Sequence, residues 1–340
     1  MKKYKILFIA FVLLNVQMSF AQSKPKVWIY TDMSDKSIPG KNHMNTVNDP
    51  DDISAMAGYL LMANEFDTKG IVVASTHRSE HKTSANQADW ATNYFMPAYT
   101  EFISAVGKKL KGFSPNISFQ QSCIKESGEK YKSESIYEDI SNYTTVQSLY
   151  ALLQKEKDTI NVLCWGSLTE PAILVNYCVA TNQTSLLKKV RFIAHWTNSP
   201  LHQGTPEHPE NVANCREDAA ACAYMKEQAL NATIQYYELG AIGQHGIVSG
   251  APKGEEYYNH FKTSALGKIF AEGKFVQNCV DHSDAAVYWI LLRNWGVSFA
   301  DVKPNGTNSA EIEKVNEEKF KLWSKAIHEE LLRRSKLGSK

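Results

Sequence analysis

Short apolar runs alternate with helical patterns along most of this chain, and that alternation limits the fold more than any other feature. Strand-like runs stand at 26–32 (KVWIYTD), 69–76 (KGIVVAST), Ile160–Cys164, Val190–Ala194 and 233–237. Between and after them, apolar residues recur at helical spacing over 53–63, 83–106, Thr169–Ala180, 218–230 and 284–295. Strands separated by helices return in the same direction by crossing over, so they pair in parallel. The pattern predicts an α/β fold with a mostly parallel central sheet flanked by helices. Residues 112–143 are polar and irregular, which suits a surface excursion, and the charged tail 311–340 (KLWSKAIHEELL within it) has the spacing of a solvated or packing helix. No repeat, low-complexity linker or shift in composition divides residues 22–340, which read as a single domain with a C-terminal helical tail.

The N-terminus has the form of an export signal. Lys2, Lys3 and Lys5 precede the apolar run 6–14, and SFAQ offers small residues for cleavage after Ala21. That run is shorter than the roughly 20 residues a membrane span needs. Residues 1–21 are therefore expected to be a signal peptide, and the mature chain to be periplasmic or secreted, with no span after cleavage. The six cysteines, Cys123, Cys164, Cys178, Cys215, Cys222 and Cys279, would meet an oxidising compartment, but their spacing fixes no pairing. With 37 basic and 36 acidic residues the chain lacks the basic footprint of a nucleic-acid binder. A small-molecule substrate is the partner that remains, and a homo-oligomer stays open.

One stretch resists a purely structural explanation. NDPDDISAM places Asp49, Asp51 and Asp52 at the start of an apolar helix, and Asp32 closes the first strand. Aspartate at a helix start is common because it caps exposed N–H groups. Capping accounts for one carboxylate, or two. It does not account for four converging on one strand end, since like charges repel unless a cation lies between them. In a parallel sheet that strand end is where ligands bind, and a hard cation such as Ca²⁺ takes six to eight oxygens, mainly carboxylate and carbonyl.

These residues resemble the N-terminal signature of the nucleoside hydrolases, a strand leading through D-x-D-P-G-x-D-D into a helix. Three more stretches agree in order and kind. VLCWGSLTEPAILV resembles the family's G-x-L-T-N-x-A helix start, ENVANCREDAAACAYM its E-F-N-x-x-x-D-P-x-A-A segment, and DHSDAAVYWILL its C-terminal aspartate and helix. The wording is closest to a divergent, exported bacterial branch related to the inosine/uridine-preferring enzymes. The resemblance implies a Ca²⁺-dependent hydrolase of N-glycosidic bonds in nucleosides or related ribosyl compounds. It implies Asp32 as general base and metal ligand, and Asp52, Asp284 and the Trp165 carbonyl as further ligands. Asp51 and Asn214 would bind the sugar.

The chain also departs from the family. Residues 33–50 form a far longer link between Asp32 and the Asp51–Asp52 pair, adding Asp35 and Asp49 as rival ligands. Ser283 stands where a leaving-group histidine precedes the C-terminal aspartate, with His282 one residue earlier and Asp281 offering an alternative alignment. Thr76, followed by His77, occupies the place of a ribose-binding asparagine. The segment 194–211 (AHWTNSPLHQGTPEHPEN) reads as a substrate loop in which His195 and Trp196 contact sugar or base. Its histidines have no H-x-x-E-H or comparable spacing, so they carry no zinc motif. Two rival functions stay open: hydrolysis of another glycoside on the same scaffold, and carbohydrate binding without catalysis.

Overall fold

The computed structural model describes residues 23–38, 50–74, 87–107, 109–124, 129–204 and 208–339. The leader 1–21, Asp49, Thr76 and His77 lie outside the described residues.

Six strands form one parallel sheet in the order β3-β2-β1-β4-β5-β6: β1 Lys26–Tyr30, β2 Asp67–Val73, β3 Phe119–Gln121, β4 Ile160–Cys164, β5 Val190–Ala194 and β6 Gln235–Glu238. The strands alternate strictly between two cores. Val27, Ile29, Leu163 and Ile193 face one layer, with α1 (Asp51–Leu61), α2 (Gln87–Val106) and the C-terminal helix Ala310–Leu337. Trp28, Tyr30, Val162 and Phe192 face the other, with α3 (Thr144–Lys155) and α4 (Thr169–Ala180). Helices on both faces leave no sheet face for water, which is why the central strands β1, β4 and β5 are mostly apolar.

Order reverses between β1 and β4, so the chain leaves their carboxyl ends in opposite directions and opens a crevice there. Backbone strain gathers along the same edge: Ala74 after β2 and Trp196 after β5 both have positive φ, 59° and 51°. Neither is glycine, and such strain concentrates at functional sites.

β4, β5 and α4 keep the bounds expected from sequence. The excursion 112–143 holds the short edge strand β3, and α3 follows it; neither was expected. The helix expected over 284–295 is much shorter: a 3₁₀ turn Ser283–Ala285 passes into Ala286–Trp289, and the chain turns away at Asn294 and Gly296, both with positive φ. Helical periodicity there came from burial on every side, not from length. The tail does pack, burying Phe320, Ile327 and Leu331. One disulfide, Cys215–Cys222, is formed. None of the helices among the described residues is long and apolar enough to cross a membrane.

Candidate functional site

The residues after β1 turn toward the start of α1. The Thr31 hydroxyl donates to Asp52 Oδ2, and the Asp32 N–H donates to the same oxygen at 3.0 Å. Pro50 occupies the N-cap of α1 and makes no side-chain cap. Asp51 Oδ1 accepts from the Asp52 N–H at 3.1 Å, while its Oδ2 faces Lys274 Nζ and Ser283 Oγ, each at 3.3 Å. So the paired aspartates mostly look away from their own helix, as the crowding of charge suggested.

The far wall comes from a hairpin, β7 Phe275–Val276 and β8 Cys279–Val280. The Asp281 N–H donates to the Lys274 carbonyl at 2.9 Å, and Lys274 Nζ pairs with Asp281 Oδ2 at 3.1 Å. Asp284 follows on the 3₁₀ turn. That turn lies hard against Gly243, where a Cβ would stand 1.9 Å from the Ser283 carbonyl oxygen, so only glycine allows the approach. Carboxylate oxygens of Asp51, Asp52 and Asp284 lie within 4.8 Å of one another. Asp32, Asp52, Asp281 and Asp284 are all buried.

Burial, reinforced by neighbouring carboxylates, holds Asp52 and Asp284 well above the usual carboxylate range. Asp281 is raised for the same reasons, with Lys274 opposing the rise. Five carboxylates beside one ammonium are stable as anions only with a cation among them. The set offers only oxygen donors from side chains, with the Thr31 hydroxyl and Asp32 N–H fixing Asp52 from behind. Such donors, so supported, fit a hard divalent ion such as Ca²⁺.

β5 delivers His195 to the same place. Its imidazole Nε2 stands 3.6 Å from Asp284 Oδ1, and burial pushes its pKa down to about 4, so the ring is neutral. His195 Nδ1, Trp165 Nε1 and Trp196 Nε1 are buried without hydrogen-bond partners among the described residues. Buried polar atoms are rarely left so, and these three suit a polar ligand. Asn214 Nδ2 donates to the carbonyls of Trp165 at 2.7 Å and His195 at 2.8 Å, tying the ends of β4 and β5 together. A carbonyl has two lone pairs, so Trp165 keeps one for another donor or an ion.

The structure therefore brings Asp32, Asp51, Asp52, Trp165, His195, Asn214 and Asp284 to one crevice edge. Trp196 adjoins them, its ring edge-on to His195 with centroids 5.8 Å apart. His282 is not among them. Its Nε2 meets His328 Nε2 at 3.1 Å, and Phe270 packs edge-on to its ring inside the core. The expectation that His282 serves substrate is corrected: His282 precedes the 3₁₀ turn that carries Asp284, and its side chain is fully buried against His328. Asp35 turns from the cluster as well, its Oδ1 accepting from the Ser37 N–H at 2.9 Å. Sequence reading missed Lys274, because no local pattern links a lysine before a short hairpin to a cluster made elsewhere.

This geometry can be set beside known proteins. Residues 44–197 match the family model described as "Cellulose-binding Sde182, nucleoside hydrolase-like domain". A nucleoside hydrolase-related hypothetical protein from Saccharophagus degradans, associated with carbohydrate metabolism, superposes with a TM-score of 0.62 at 17% identity, over 93% of this chain and 72% of that one. The chain has a nucleoside hydrolase-like fold, and residues 44–197 match the nucleoside hydrolase-like family model. An effector protein superposes with a TM-score of 0.50 at 12% identity, covering 89% of this chain and 94% of that one. An inosine-uridine preferring nucleoside hydrolase from Bacillus anthracis gives 0.47 at 12% identity, covering 87% and 99%. No curated protein sequence matches the chain significantly. At these identities the likeness is one of fold. At its own site the chain carries the Lys274 bridge between Asp51 and Asp281, and Ser283 bonded to Asp51.

Proposed function

We propose that the protein is a Ca²⁺-dependent hydrolase of N-glycosidic bonds in nucleosides or related ribosyl compounds, acting after export. The observation that carries this reading is the buried convergence of Asp51, Asp52 and Asp284, with Asp32 beside them. Asp52, Asp284, Asp32 and the Trp165 carbonyl would hold the ion, with Asp51 at its edge. When bound, such an ion is a Lewis acid that lowers the pKa of a coordinated water.

Asp32 would serve as the general base. It is buried, and its backbone is pinned through Asp52, which limits its freedom to move. Asp51, steadied by Lys274 and Ser283, accepts hydrogen bonds from sugar hydroxyls and so fixes the ring. Neutral His195 donates or accepts at the leaving side, and Trp196 offers an apolar face to base or sugar. Asn214 keeps the β4 and β5 ends at fixed spacing and is near enough to bind a hydroxyl. The Cys215–Cys222 disulfide begins at the residue after Asn214, and it suits the oxidising compartment that residues 1–21 would direct the chain to.

A second reading has its own support. The matched family is described as cellulose-binding, and the Saccharophagus protein as associated with carbohydrate metabolism. A glycan bound without cleavage, or a glycoside other than a nucleoside, would use the same crevice. The test is sugar release by the purified protein from a panel of nucleosides and β-glucan oligosaccharides, with Ca²⁺ and with chelator, and Asp52→Ala as control. Chelator-sensitive release from nucleosides, absent in the variant, is the expected result. Oligosaccharide binding with no release from anything would overturn hydrolysis in favour of binding.

A further inference from the structure

The loop after β5 meets the first turns of the C-terminal helix in a second group of ligand-type side chains. Glu313 and Glu317 lie one helical turn apart and so share a face. His202 reaches them from the loop: one donor atom from each of the three lies within 4.8 Å of the others. Both glutamates are buried, at 3% and 8% exposure, and among the described residues neither pairs with a lysine or arginine. Glu313 accepts from Ser199 Oγ at 2.6 Å, the Leu201 N–H at 3.0 Å and the Ala241 N–H at 2.8 Å. Glu317 Oε1 meets His202 Nε2 at 2.5 Å.

Those neutral donors hold Glu313 in place but do not cancel its charge. Among the described residues, one imidazole is the sole group set against two buried carboxylates, a deficit that a cation would remove. Outer donors orient a carboxylate toward a metal in this manner. The backbone is shaped to seat that carboxylate: Gly240 has φ of 61°, and a Cβ there would lie 2.3 Å from Glu313 Oε1, so only glycine lets Glu313 approach so closely. Behind His202, the His245 ring stacks in parallel, with centroids 3.7 Å apart and planes 9° apart. That stacking holds the His202 ring in place beside the glutamates. Mixed imidazole and carboxylate donors favour a borderline transition metal over Ca²⁺.

We infer that His202, Glu313 and Glu317 bind a divalent transition-metal ion, with Zn²⁺ as the representative, at a site separate from the Asp51–Asp52–Asp284 cluster. The ion takes the place of the proton that His202 and Glu317 now share, and it fastens the loop after β5 to the C-terminal helix. Water completes the coordination.

The experiment is Zn²⁺ retention after dialysis, by metal analysis, together with the thermal shift on adding Zn²⁺. It uses the purified protein, Asp52→Asn/Asp284→Asn, and each of His202→Ala and Glu317→Gln in that background. Circular dichroism checks that every variant is folded, and Glu317→Gln, being isosteric, stands in if His202→Ala does not fold. One Zn²⁺ per chain should survive loss of the aspartates. It should weaken at least about tenfold without His202 or Glu317, with the thermal shift lost in parallel. Zn²⁺ that disappears with the aspartates, persists without His202 and Glu317, or is never retained overturns the inference. Because the readout is binding in a background lacking Asp52 and Asp284, it stands or falls independently of any sugar release.

Discussion

The protein gathers buried carboxylates twice, and it handles them differently. At the crevice, Asp51, Asp52 and Asp284 come from a helix start and a turn after a hairpin, with Lys274 bridging Asp51 to Asp281 and a neutral His195 alongside. At the second group, Glu313 and Glu317 come from a single helix face and meet His202 on a loop. The first set presents carboxylate oxygens around a partial internal counter-charge. The second presents an imidazole nitrogen and, among the described residues, no ammonium. Donor chemistry, more than the number of acids, separates a hard-ion site from a transition-metal site.

The largest effect that would break this contrast is at Asp52. Asp52→Asn should abolish Ca²⁺-dependent sugar release, by more than about a hundredfold, while Zn²⁺ retention persists. Equal loss of both metals would mean the two groups are one system. Next is Lys274→Met, which strands Asp51 and Asp281. Chelated protein should lose about 3 kcal/mol in denaturant unfolding, with much of it regained on adding Ca²⁺. A loss that Ca²⁺ does not touch would place Lys274 outside the cation's influence.

Gly243→Ala is subtler, since it leaves every ligand intact and moves the turn under Asp284. Ca²⁺ affinity measured by calorimetry should fall about tenfold, with Zn²⁺ binding unchanged. Smaller again, Asp284→Asn should stabilise the chelated protein by about 1 kcal/mol, because it removes one of several repelling charges. A lower melting temperature in chelator would contradict the account of crowding.

A third kind of buried acid sharpens the comparison from outside. Glu170 is held by the Ser122 and Thr145 hydroxyls, and Glu238 by those of Thr197 and Tyr236; burial raises each from 4.5 to about 7. Each folded-state group therefore keeps a proton that the unfolded chain has released. Its stabilisation is full below about pH 4.5 and is lost as pH rises through about 7. His195 and His328, lowered to about 4, act in the opposite sense below pH 6.5. That contribution cancels when wild type is compared with Glu170→Gln. The variant's stability should fall less between about pH 5 and pH 8, and an identical slope would reject the assignment.

The sheet was legible because its strands are short, apolar and separated by helices, a pattern few folds share. Edge strand β3 was not, since a three-residue strand in a polar segment has too little apolar surface to register. Asp51 and Asp52 were legible as neighbours in sequence at a recognisable place, and Asp284 by its helix start. Lys274, Asp281's partnership and the Glu313–Glu317–His202 group were not. They depend on chain segments brought together only by packing, and each residue alone looks like an ordinary surface charge. His282 misled for a local reason: as the residue just before the turn that carries Asp284, it is buried against His328 instead.

The reversal of strand order between β1 and β4 carries a consequence for descent. Every ligand-bearing loop leaves the sheet at its own point, so one can lengthen without disturbing the anchorage of its neighbours. The segment 33–50 joins Asp32, fixed at the end of β1, to Asp51, fixed at the start of α1. Lineages sharing this scaffold can therefore trade substrates by rewriting that span while inheriting the acidic pair untouched, and appetite would drift faster than machinery.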